Sequence, residues 1–176
     1  MSLYITRHGQ TDWNVAQKVQ GKADIELNKK EKEQALETYK KLLEVPIDLI
    51  ICSPLIRAKQ TAEIINQGRN IPIEIDERIS ERDFGELEGL NKSEFDFEGF
   101  WSYKKNIKYE KAENIRDFFE RIYTFLDEIK KISISKNVLL VTHGGVSIPV
   151  NCYFNGIPEE DDLLKLVLKN CEVTKY

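Results

Sequence analysis

Only two histidines occur in the chain, His8 and His143, and each is followed directly by glycine: Arg7-His8-Gly9 and Thr142-His143-Gly144-Gly145. An imidazole can serve as nucleophile, as acid or base, or as metal ligand. Glycine beside it lets a ligand or another stretch of backbone come close. Neither histidine stands next to an Asp or Glu, and the three cysteines, Cys52, Cys152 and Cys171, show no paired spacing. No metal is therefore expected. Two arginines suit an anion instead. Arg7 precedes the first histidine, and Arg57 follows Ser53-Pro54 by three positions. Arginine gives bidentate, charge-assisted bonds to phosphate oxygens. Ser53 before Pro54 reads as a helix cap and first-turn proline, with no nucleophile elbow around it, and the amides opening that helix should add positive charge. An acid is less easily chosen. The loop Glu81-Arg82-Asp83-Phe84-Gly85-Glu86-Leu87-Glu88-Gly89 holds Glu81, Glu86 and Glu88, which spacing alone does not separate. These residues together describe a cationic, phosphate-sized pocket with two histidines and an unassigned acid.

Such residues need elements to hold them at one edge. Apolar runs at 3–6, 48–52, 72–75, 138–142 and 164–168 read as strands. Helical spacing lies between them. Ala35, Tyr39, Leu42 and Leu43 follow a capping box at Asn28 and Glu31, and Leu55, Ala58, Ala62 and Ile65 share a face. The clearest stripe is Ile115, Phe118, Phe119, Ile122, Phe125, Leu126 and Ile129. Alternation of this kind predicts an α/β fold, a three-layer α/β/α sandwich with a largely parallel sheet. In such sheets ligands bind beyond the carboxyl ends of the strands, which is where Arg7, His8, Arg57 and His143 fall. The stretch at about 83–111 reads as an irregular, aromatic-rich lobe within one domain spanning 1–176. Its rings Phe84, Phe95, Phe97, Phe100, Trp101 and Tyr103 have two readings, as the walls of a leaving-group site or as core packing, and packing is expected for most of them.

Composition limits the partners. With 41% apolar and 32% charged residues the chain is neither disordered nor of low complexity. A net charge of −4 lacks the basic footprint of a nucleic-acid binder. No apolar run approaches the ~20 residues of a membrane span, and the N-terminus lacks the form of a signal peptide. Unpaired thiols suit a reducing cytoplasm, the expected location. Oligomeric state is not legible here.

Several blocks carry a resemblance. Leu3-Tyr4-Ile5-Thr6-Arg7-His8-Gly9-Gln10-Thr11 with Asn14 is followed by Gln20-Gly21, then Leu27 and Gln34-Ala35. Next come Ser53-Pro54-Leu55-x-Arg57-Ala58-x-Gln60-Thr61-Ala62, Glu81-Arg82-x-Phe84-Gly85 with Glu88-Gly89, and Val141-Thr142-His143-Gly144-Gly145. In this order, across nearly the whole chain, they resemble the histidine phosphatase superfamily, the phosphoglycerate mutase-like proteins. The resemblance implies that His8 is the nucleophile and becomes a phosphohistidine. It implies that Arg7, Arg57 and His143 hold the phosphoryl oxygens and that Glu81 is the acid and base. Substrate contacts are implied for Asn14, Gln20, Gly21, Arg82, Lys92 and Gly144. No cofactor or metal is implied, and the partner is a small phosphorylated substrate.

Departures from the family pattern sharpen the expectation. Glu31 stands where the family usually has glycine, and Lys111-Ala112-Glu113-Asn114 replaces a Gly-Gly-Glu-Ser run. Gly89-Leu90-Asn91-Lys92 resembles the mutase segment, but the adjacent arginine pair that grips a phosphoglycerate carboxylate is missing. Phe84 replaces a mutase tyrosine. A metal-independent phosphatase is expected, with phosphoglycerate mutase-type phosphoryl transfer as the alternative.

Overall fold

The computed structural model describes residues 2–176 and leaves the side chains of residues 30–32 undescribed. The order of elements is β1 (Leu3–Arg7), α1 (Asp12–Val15), α2 (Lys29–Leu42), β2 (Leu49–Cys52), α3 (Ile56–Ile65) and β3 (Ile73–Ile75). After three short 3-10 turns come α4 (Phe97–Phe100), α5 (Ile115–Ile132), β4 (Val138–Thr142), α6 (Gly144–Asn155) and β5 (Val173–Lys175). The sheet runs β3-β2-β4-β1-β5, with β1, β2, β3 and β4 parallel and only β5 antiparallel.

Alternating side chains send each strand's apolar residues to two faces. Leu3, Ile5, Leu49, Ile51, Val138 and Leu140 meet α5 and α6 on one side. Ile50, Cys52, Leu139 and Val141 meet Leu42 of α2 and Ala58, Ala62 and Ile65 of α3 on the other. This is the three-layer sandwich that the alternation predicts. All seven residues of the α5 stripe are buried. At roughly 1.5–3 kcal/mol for each buried side chain, the stripe accounts for the docking of α5 on the sheet. Asn114, the last residue of the replaced run, caps α5 by accepting from the Arg116 amide at 2.9 Å.

Four expectations need correction or limits. Residues 164–168 are not a strand: Leu163–Leu166 form a 3-10 turn, and the fifth strand is Val173–Lys175. That strand has three residues and pairs at an edge, too short for a period-two signal. Ser53 does not cap a helix. α3 starts at Ile56 behind Leu55, and its first amide is satisfied by Asp24 Oδ1 from a distant loop at 2.7 Å. An aspartate thus occupies the helix end that was expected to serve an anion. Leu43 lies beyond α2 and is 46% exposed, off the apolar face. The capping box at Asn28 and Glu31 lies outside the described residues, since it needs the Glu31 side chain.

The lobe is irregular, as expected, and its rings pack together. Phe84 stacks on Phe100 with centroids 4.5 Å apart, and Trp101 meets Phe118 of α5 edge-on at 6.1 Å. Backbone bonds fasten the lobe to the loop after α1, from Val19 N to Leu90 O at 3.0 Å and from Lys92 N to Gln17 O at 3.1 Å. Residues about seventy positions apart are thereby brought to one place.

Candidate active site

β1 and β4 are adjacent and parallel, so the residues that follow them leave the sheet side by side. His8 follows β1 and His143 follows β4, and their rings stand 5.1 Å apart, edge to face at 62°. Beyond this edge lies a cavity of about 270 Å³. Its lining includes Arg7, His8, Asn14, Gln20, Gly21, Arg57, Glu81, Lys92 and Gly144, nine of the eleven expected site residues. The other two, His143 and Arg82, are not among the lining residues.

His8 is 3% exposed. Its Nδ1 lies 2.5 Å from the Gly9 carbonyl, an acceptor, so Nδ1 carries the proton. Nε2 then carries the lone pair, which accepts from Arg57 Nε at 3.2 Å. Burial, with Arg57 and Arg7 close by, holds the ring's pKa well below 6.5. A neutral imidazole with a directed lone pair among cations can attack an electrophilic phosphorus.

Arg57 is 1% exposed, and three of its five N–H groups have protein acceptors. Its Nη1 donates to Ala23 O at 2.7 Å and its Nη2 to Gly21 O at 2.8 Å. Burial pushes its pKa down to about 10, with Glu81 opposing, which leaves it cationic at neutral pH. Gly21 presents its carbonyl at φ +52, in the left-handed region that favours glycine, and a Cβ there would press on Glu88 Oε1 and stand 3.0 Å from the Phe84 amide nitrogen. Arg7 donates from Nη1 to Leu168 O at 2.9 Å, while its Nε is buried without a protein partner. Asn14 gives its Oδ1 to the Thr11 amide at 3.1 Å in a capping box, which leaves Nδ2 as its donor for a ligand. Gln20 Oε1 is buried and unpartnered.

Position separates the three glutamates. Glu81 lines the cavity, its Oε1 accepting from the Arg82 amide at 2.9 Å and its Oε2 from the Gly145 amide at 3.0 Å. The helix end that meets the site is therefore that of α6. A Cβ on Gly145 would lie 2.1 Å from Glu81 Oε1 and 2.6 Å from the Trp101 ring, so the glycine is what admits the carboxylate. Glu86 instead pairs with Lys111 on the surface, and Glu88 accepts from the Lys22 amide at 2.7 Å.

Arg82 is a correction to the expected substrate contacts. It is 1% exposed, donates to Glu113 O at 2.9 Å and to Phe100 O at 2.5 Å, and lies over the Phe100 ring at 3.6 Å. Glu113, the one residue kept from the family run, holds Arg121 through two bonds of 2.7 and 2.8 Å. Arg121 in turn holds the Arg78 and Ser80 carbonyls. This network fixes the backbone that carries Glu81.

Phe84, Phe97 and Trp101 from the lobe form apolar walls of the cavity, the first of the two readings of its rings. Val19, Leu164, Val167 and Lys18 also line it and were not read from the sequence. Lys18 lies beside Lys92 in the lining, and an isolated bridge pairs Lys18 with Asn91. Nothing in their spacing marks them, because they come from separate loops. The core-packing expectation holds for Phe84, Phe100 and Trp101, which are buried, and Phe95, Phe97 and Tyr103 are partly buried against the same core, while Phe84, Phe97 and Trp101 also face the cavity.

Among the described residues no group of three or more His, Cys, Asp or Glu could hold a metal ion, and no helix is long and apolar enough to cross a membrane.

Comparison with known proteins gives the same direction. The chain is 40% identical over 143 residues to the uncharacterized phosphatase PhoE of Bacillus subtilis, covering 81% of this chain and 72% of that one. It is 30% identical over 184 residues to the probable phosphoglycerate mutase GpmB of Escherichia fergusonii, covering 99% and 84%. The solved structure of YhfR from Bacillus stearothermophilus superposes with a TM-score of 0.88 at 33% identity, covering 99% and 89%. Residues 3–176 match the family profile described as histidine phosphatase superfamily (branch 1). The chain belongs to the histidine phosphatase superfamily, as an enzyme of the phosphoglycerate mutase-like type.

Proposed function

We propose that the chain hydrolyses small phosphomonoesters through a phosphohistidine on His8. The observation that carries this reading is the bond from Arg57 Nε to His8 Nε2, inside the cavity that Arg7 and Glu81 also line. A cation directed at the nucleophilic lone pair marks where a phosphoryl group belongs. In the first step Nε2 forms a bond to phosphorus and the ester P–O bond breaks. Glu81 hands its proton to the departing alkoxide oxygen. In the second step Glu81 takes a proton from water as the oxygen attacks phosphorus, and the N–P bond breaks to release inorganic phosphate. Arg7, Arg57 and His143 hold the three equatorial oxygens, on which the charge of the transition state is spread. Asn14, Gln20, Gly21, Lys92 and Gly144 are the substrate-side contacts of this reading. No metal or cofactor enters the scheme, since arginine and amide donors supply the positive charge.

Hydrolysis is preferred to mutase transfer on the chemistry of the cavity. Its arginines are Arg7 and Arg57, both committed at the histidine end, and its further walls combine apolar side chains with Lys18 and Lys92. The lining thus holds no adjacent arginine pair of the kind that grips a phosphoglycerate carboxylate. A cytoplasmic location goes with this reading, supported by three buried free thiols.

Radiolabelled phosphomonoester tests the proposal. Quenched enzyme should carry an acid-labile, base-stable phosphoryl label that His8→Ala removes along with activity. A label that persists in the variant, or resides on Ser53 or a cysteine, overturns the assignment. With a phosphoglycerate, release of inorganic phosphate without isomerised product separates hydrolysis from mutase transfer.

A further inference from the structure

Ser53 has a role that its position before Pro54 conceals. It follows β2, His143 follows the paired strand β4, and the register Cys52 to Val141 sets them side by side. Both are fully buried, and the Ser53 hydroxyl lies 2.7 Å from His143 Nε2. The same hydroxyl accepts the Leu55 amide at 3.4 Å. A hydroxyl has one proton to give, and a backbone amide can only donate. Among the described residues, His143 Nε2 is thus the acceptor open to the Ser53 proton. The ring itself has one proton, because burial and the neighbouring Arg57, His8, Arg7 and Arg121 keep it neutral. With Nε2 accepting, that proton sits on Nδ1, an atom that is buried, has no protein partner and does not cap α6. The opposite tautomer would leave the Ser53 proton without an acceptor and turn a lone pair toward any anion that His143 meets.

We infer that Ser53 is a positioning residue, whose hydroxyl donates to His143 Nε2 and fixes the Nδ1–H tautomer that can donate to a phosphoryl oxygen. Its catalytic consequence rests on the proposed phosphohistidine reading, whereas the tautomer does not. The same ring would otherwise bind phosphate only after a tautomeric change, at a cost to every turnover.

The chain's two histidines make the test direct. Nitrogen-15 histidine labelling, with two-bond nitrogen–proton correlation spectra, reports the tautomer of each ring, and His8→Asn assigns the pair. His143 should be protonated on Nδ1 in the wild-type protein and shift toward Nε2 in Ser53→Ala. His8 should stay on Nδ1 in both. Single-turnover phosphoenzyme formation should fall roughly tenfold in Ser53→Ala, the scale of one hydrogen bond. A wild-type His143 protonated on Nε2 overturns the inference, and so does an Nδ1–H ring that persists in Ser53→Ala. An unchanged rate in a variant whose tautomer has shifted overturns the catalytic role. If the wild-type enzyme forms no phosphohistidine, the proposed function fails while the spectra still decide the Ser53 contact.

Discussion

Arg57 donates its Nε–H to His8 Nε2 across 3.2 Å, and both of its terminal nitrogens are tied to backbone carbonyls of Gly21 and Ala23. One guanidinium therefore orients the His8 ring and is itself held rigid by the loop that carries Gly21. Lysine keeps the charge but cannot reproduce a planar fork of three donations. Arg57→Lys should lower kcat/KM by about 10²- to 10³-fold, the usual consequence of losing a transition-state donor. Steady-state assay on nitrophenyl phosphate measures it, and a loss below fivefold would mean that charge alone suffices.

Glu81 provides a sharper test of proton transfer. An acid matters most when the leaving oxygen is a poor leaving group. Glu81→Gln keeps the shape and can still accept from the Gly145 amide, but it cannot supply the proton. Single-turnover phosphoenzyme formation should fall much more with an alkyl phosphate than with nitrophenyl phosphate. Equal losses on both would assign Glu81 to binding alone.

Prolonged dialysis against a chelator should leave activity unchanged. In the proposed scheme Arg7 and Arg57 supply the positive charge that a divalent ion provides in other phosphoryl-transfer sites. Vanadate, which can take the five-coordinate geometry of phosphorus, should inhibit. Activity lost to chelator and restored by zinc or magnesium would require His8 and His143 to be read as ligands.

Stability should depend on pH through the two histidines. Burial and nearby arginines hold both folded-state pKa values well below 6.5. Below about pH 6.5 the unfolded chain therefore binds more protons than the folded one, and stability falls with pH. The slope should approach roughly 1.4 kcal/mol per pH unit for each ring, and it should vanish above that range. Urea unfolding at several pH values between 5 and 8 measures it. His8→Asn and His143→Asn should each remove about half of the slope, and a flat profile down to pH 5 would contradict neutral burial.

The α5 stripe and four of the five strands were legible in the sequence, because periodicity is a local property that burial on one face enforces. So were the chemistry-bearing residues at strand ends: Arg7-His8-Gly9 and Thr142-His143-Gly144-Gly145 each lie within three or four positions. Arg57 was also visible as a cation, though not its grip on His8.

Tertiary structure alone decided the rest, wherever a residue's role depends on a partner distant in the chain. Spacing alone leaves Glu81, Glu86 and Glu88 equivalent, and only the fold seats Glu81 at the cavity, through the Gly145 amide and the Glu113–Arg121 network. Arg82 looked like a substrate contact beside that acid, yet it is buried against the Phe100 ring as part of the frame. Ser53 looked like a cap from its neighbour Pro54. Asp24 took the amide at the start of α3, and the sheet register delivered the Ser53 hydroxyl to His143. Local pattern determines which elements form and what chemistry they carry. Which polar group each of them meets is set by the packing of separate segments, since a buried donor must find its acceptor wherever the fold provides one.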